Sequence, residues 1–223
     1  MILDVLRYQN CIDDYNSSWS LIDSTLYRLC QENPKHTRRE QVCAKLFIIG
    51  RTYSTGIERK VATDGTQGSS MTQVADLMFS HGKSIDDWID ELQVVVEPLT
   101  PKHLSKNLSV HGRMVKLIST LTRRSQSSRS FVSKYMHFHN PSVPIYDSIA
   151  AANAQHLVRW SKSLAVFETP LDQDECYAEY VMRFFRLYQE VAATKLPLKV
   201  KYVDAYLLDL VDRGELVSVA EGE

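Results

Sequence analysis

The chain has 223 residues, 44% of them hydrophobic and 24% charged, with a net charge of −1. That balance describes a globular chain able to bury a sizeable core, and it excludes a disordered or fibrous one. Residues 1–11 lack the basic start and apolar run of a secretory signal, and no stretch approaches the roughly 18 apolar residues that cross a bilayer, so a cytoplasmic protein without a membrane partner is expected.

In chain order, Trp19, Ile22, Leu26, Leu29 and Cys30 recur at steps of three and four up to Asn33-Pro34, which predicts an amphipathic helix ended by proline. Thr37 with Glu40 has the spacing of a capping box ahead of a second helix through Val42, Leu46, Ile49, Tyr53 and Ile57. The run from Gly65 to Ser70 reads as a loop, and Ser84 with Asp87 repeats the capping spacing before Ile85, Trp88, Ile89 and Leu92. Gln93 to Val96 is the nearest approach to a strand.

Thr100-Pro101 opens a helix through Leu104, Leu108, Met114, Val115, Ile118 and Leu121, because proline fits the first helical turn. The polar run Arg123 to Arg129 predicts a turn, and Phe131 to Phe138 a short helix that stops at His139-Asn140-Pro141. Asp147 stands at the start of the next helix, and a last pair covers 176–193 and 200–211. An all-α fold follows, a single helical domain over 1–223, with two helical lobes and the segment 98–146 between them. The three tryptophans lie on apolar faces and are expected in the core. Cys11, Cys30, Cys43 and Cys176 lie too far apart for a C-x-x-C site and are read as reduced packing residues.

Charge is unevenly placed. Between Glu97 and Asp147 there is no acidic residue, while Lys102, Lys106, Arg113, Lys116, Arg123, Arg124, Arg129 and Lys134 supply eight positive charges, leaving 18 basic against 27 acidic residues elsewhere. Clustered cations displace counterions from a phosphate backbone, so a polyanion partner is one reading; a basic face paired with the acidic remainder is the other. The four histidines of this segment would gain charge at mildly acidic pH.

A helix ending near two arginines, the turn "RRSQSSR", a helix to His139, the proline-stiffened "NPSVPIYDS" and an aspartate at the next helix start resemble the helix-hairpin-helix DNA glycosylases. The resemblance is carried by residues 113–160, with weaker support from "KVKYVDAYLLDLV". It implies a DNA partner, base excision, and Asp147 as the catalytic carboxylate. It also implies a hairpin in which Arg123, Arg124, Ser127, Ser128, Arg129, Lys134 and His139 meet phosphate. The turn has none of the family's glycines, and Arg129 stands where the spacing would place a Schiff-base lysine. An arginine stays protonated and is no amine nucleophile, so the expected activity is monofunctional.

Asp147 has a simpler reading beside the catalytic one, since aspartate is a favoured N-cap. Arg51, Tyr53 and Glu58, with Tyr146, are candidates to line a pocket facing it; an internal Arg–Glu network that joins two helices is the alternative for Arg51 and Glu58. His137 and His139 have no third ligand at useful spacing, so no metal and no cofactor are expected. A non-catalytic helical module that binds nucleic acid, or docks on a protein partner, is the competing function.

Overall fold

A computed structural model describes residues 3–57, 70–121, 128–161, 164, 170 and 172–212. Its described residues form ten α-helices: α1 (Val5–Ser18), α2 (Ser20–Glu32), α3 (Arg39–Thr52), α4 (Ser70–Ser80), α5 (Gly82–Glu91), α6 (Pro101–Ser119), α7 (Arg129–His139), α8 (Ser148–Leu157), α9 (Glu175–Ala192) and α10 (Val200–Asp212). The fold is all-α. Gln93 does not begin a strand: Leu92–Val94 is a single 3-10 turn, and no strand occurs among the described residues.

One large core cluster draws on both halves of the chain, from Leu3 and Tyr8 through Leu46, Val74 and Leu108 to Val203 and Leu207. Helix α7 lies inside it. Phe131, Val132, Tyr135, Met136 and Phe138 are all buried, as are Ser133, Lys134 and His137 between them. A helix buried on nearly every side sits in the interior, and this one packs against α2, α3 and α6. Its polar residues are therefore carried inward with it.

Local signals set most helix ends. The Thr100 side chain accepts from the His103 amide at 3.3 Å and Pro101 occupies the first turn of α6, as the sequence predicts. The capping boxes at Thr37 and Ser84 do not form: Arg38 and His81 precede α3 and α5 without a side-chain cap, and Ser84 lies within α5. Helix α3 also stops at Thr52, short of Ile57, because Ser54 turns to φ 47° and the Thr55 amide donates back to the Gly50 carbonyl at 3.0 Å. That early end releases the Tyr53 side chain from the helical register.

Cys11 and Cys30 are buried, Cys43 is half-buried, Cys176 is exposed, and all four are free thiols. Trp19 and Trp160 are not core residues: both are about half exposed, while Trp88 packs beneath Arg113. No helix among the described residues is long and apolar enough to cross a membrane.

Candidate functional site

The loop from Asn140 to Tyr146 is held by more than its two prolines. Asn140 Nδ2 donates to the carbonyls of Leu92 and Val95 at 2.6 and 3.0 Å, and its Oδ1 accepts from the Ser142 amide. His137 Nδ1 donates to the Val143 carbonyl, Tyr177 OH donates to that of Pro144, and the Tyr146 amide donates to Ser133 Oγ. Ser142 to Ile145 are buried, so these bonds satisfy backbone groups that water cannot reach. The loop is a rigid bracket, and what it presents is Asp147.

Asp147 is the N-cap of α8, with Oδ1 accepting from the Ile149 amide at 3.0 Å. Its Oδ2 accepts from Lys134 Nζ at 2.9 Å, and the same ammonium donates to the Tyr53 carbonyl at 3.1 Å. The Lys134 side chain is 3% exposed and that of Asp147 27%, so the cation is enclosed while the carboxylate opens outward.

The opening leads into a cavity of about 380 Å³, within the range of small-molecule sites. Tyr15, Trp19 and Tyr53 supply aromatic surface; Lys134, Asp147, Lys201 and Asp204 supply charge; Asp14 and Asp209 stand with them in the lining. Behind it lies a buried polar cluster. Asp23 accepts from the hydroxyls of Tyr15 and Tyr53, and Lys201 Nζ donates to Tyr53 OH and Asp204 Oδ2, both at 3.1 Å, with Asp23 Oδ2 3.5 Å away. Burial pushes the Lys201 ammonium toward neutrality, but Asp204 and Asp23 together outweigh it and the net shift is upward. Burial raises the Asp204 carboxyl against the pull of Lys201. The Tyr53 phenol is raised by burial and then by Asp23, so it stays a hydroxyl.

Of the residues predicted to line a pocket, Tyr53 does so. Arg51 is exposed and outside this lining, Tyr146 instead receives the Arg129 guanidinium on its ring at 5.2 Å, and Glu58 lies outside the described residues. Among the residues predicted to meet phosphate, Arg123, Arg124 and Ser127 also lie outside them. The others face inward. Ser128 is buried, Arg129 pairs with Asp174 with both side chains about a tenth exposed, and Lys134 pairs with Asp147. His139 is half-buried, stacked on His36, with Lys45 Nζ 3.4 Å from its Nε2.

Five of the eight cations of the basic segment have acidic partners among the described residues. Lys106 and Arg113 both pair with Glu91, Lys116 with Asp172, Arg129 with Asp174 and Lys134 with Asp147. Nor do three of its histidines gain charge readily: burial lowers His111 to about 4, His137 to about 3, and His139 well below its ordinary value. No cluster of metal-ligating side chains occurs among the described residues.

Lys201, Asp204, Asp23, Tyr15 and Trp19 were not legible as site residues. The Lys201–Asp204 spacing of three is the one local hint, and it is too common to single out. Comparison with protein-family models, with curated proteins and with solved structures finds no match.

Proposed function

We propose that this chain is a DNA-binding protein that hydrolyses a base–sugar bond, with Asp147 as the catalytic carboxylate. One observation carries the reading: the Asp147 carboxylate, fixed by the Ile149 amide and Lys134, opens onto an aromatic-lined cavity of small-molecule size. Trp19, Tyr15 and Tyr53 offer stacking surface to a base turned out of a duplex. As the bond from C1′ to the base nitrogen breaks, its electron pair leaves with the base, which takes a proton. The cationic sugar left behind is stabilised by the Asp147 carboxylate, then adds water at C1′ and loses a proton to solvent. Lys134 holds the carboxylate in its orientation.

Single-turnover release of bases from a panel of lesion-containing duplexes tests this. Wild type should release at least one base, and Asp147→Asn should fall by two to three orders of magnitude, about 3–4 kcal/mol of transition-state stabilisation, with DNA binding retained. Equal rates for the two proteins would remove Asp147 from the chemistry.

The internal pairing of Lys106, Arg113, Lys116, Arg129 and Lys134 leaves these cations little charge for a phosphate backbone and favours a second reading, a non-catalytic helical module that docks on a protein partner. No release of base and no salt-dependent duplex binding by either protein would support it.

A further inference from the structure

Asp204 stands apart from the rest of the cluster. It is 1% exposed and lines the cavity, and while its Oδ2 is engaged by Lys201, its Oδ1 has no hydrogen-bond partner among the described residues. Leaving a buried carboxylate oxygen unpaired costs about 1–3 kcal/mol or more, so a native protein keeps one where something else completes it. Asp23, equally buried two side chains away, is completed by Tyr15 and Tyr53. Asp204, unlike Asp23, also belongs to the cavity's lining, so the incomplete carboxylate is the one that stands at its wall.

We propose that Asp204 selects the ligand of this cavity, its Oδ1 accepting a hydrogen bond from an N–H on the edge of a planar base. The proposal rests on the reading of the cavity as a base site and adds to it the chemistry that decides which bases enter. Three features agree. Tyr15, Trp19 and Tyr53 give the walls a preference for flat rings. Asp14, Asp147, Asp204 and Asp209 outnumber Lys134 and Lys201 in the lining, which repels a phosphate and leaves the backbone outside while the uncharged base enters. Lys134 has two of its three N–H groups engaged, by Asp147 and by the Tyr53 carbonyl, which leaves one donor for an acceptor beside the ring's N–H. A site built to hydrogen-bond one group rejects an analogue lacking it more strongly than an apolar pocket rejects a change of size.

The experiment is calorimetric titration of the full chain with matched free bases: adenine against N6,N6-dimethyladenine, and uracil against 1,3-dimethyluracil. At least one parent base should bind, and its methylated partner should bind tenfold or more weakly. Asp204→Asn should lose the same factor for the parent base, because the amide oxygen turns to Lys201 and its NH2 meets the ligand's N–H. Asp13→Asn, which makes the same change of charge on the exposed face of α1 outside the cavity lining, should stay close to wild type. Equal affinity for parent and methylated bases overturns the proposal, as does failure of every base to bind. Unchanged affinity in Asp204→Asn overturns it too, since the methyl effect would then be steric. If Asp204→Asn does not fold, equal affinity of the wild type for the two members of each pair still overturns the proposal. N–H-dependent binding without release of any base from DNA upholds this inference and removes the catalytic reading; equal release of all bases by wild type and Asp204→Asn does the reverse.

Discussion

The Lys134 ammonium lies 2.9 Å from the Asp147 carboxylate, one on a buried helix and the other at the start of the next. Asp147 is thus a cap and an ion-pair partner at once, and the two roles separate by substitution. Asp147→Asn keeps the cap but leaves an enclosed ammonium with only the Tyr53 carbonyl as a strong acceptor, and it should cost about 1–3 kcal/mol in urea denaturation. Lys134→Met combined with Asp147→Asn should recover most of that loss. A cap without the pair would show almost no cost in the single variant.

Asn140 holds the bracket that places Asp147. Asn140→Ala frees the buried carbonyls of Leu92 and Val95 and the Ser142 amide together, and should cost about 2–4 kcal/mol. Amide exchange should rise across 140–147 before it rises in α9. The paired replacement of Pro141 and Pro144 by glycine should do less, because the hydrogen bonds remain.

The place of Arg129 fixes what its removal does. Arg129→Met leaves Asp174 without its cation near the start of α9, where Asp174 also caps Tyr177, and should destabilise by about 3 kcal/mol. DNA affinity per folded molecule, and its salt dependence, should not change. A phosphate contact would give the opposite pattern, with stability kept and the salt slope reduced by about one.

How much of this was readable follows the range of the interactions. Thr100-Pro101, the stop at His139 and the Asp147 cap are decided within a few residues, and the sequence carries them. The early end of α3 depends on a left-handed Ser54 and a backbone bond to Gly50, for which Ser-Thr-Gly gives only weak notice. The charges of the basic segment cluster in sequence, and only the fold shows that Glu91, Asp172 and Asp174 meet Lys106, Arg113, Lys116 and Arg129 in space. Of the cavity, Tyr53 beside Asp147 was within reach, while the part built by Lys201 was not, because Lys201 meets Tyr53 across 148 residues.

Acid should unfold the chain through its buried histidines. His111 and His137 are lowered to about 4 and about 3 by burial, below the ordinary 6.5. Between those values the unfolded chain binds more protons, so stability rises with pH across that window and is lost as pH falls through it. Each histidine should remove about 2 kcal/mol between pH 7 and pH 5. His111→Gln should flatten the profile of denaturation free energy by that amount; an unchanged profile would mean that His111 takes up its proton without unfolding.

Gly112 reports how closely α6 meets the segment ahead of α9. A Cβ there would lie 2.0 Å from the Asp172 carbonyl oxygen, against backbone that has no rotamer to yield. Gly112→Ala should destabilise by about 1–3 kcal/mol or more in thermal melts, whereas Gly50→Ala, facing the flexible end of Met71, should cost less.

Arg7 on α1 donates to Asp209 on α10 across 202 residues, and the cavity's walls come from the same two helices and the middle of the chain. Synthesis delivers Asp209 202 residues after Arg7, so the walls exist apart over that interval. No nascent fragment short of α10 has this cavity complete. Affinity for a ligand of this cavity is therefore acquired only once α10 is made, and compounds that bind there will tighten the contact between α1 and α10.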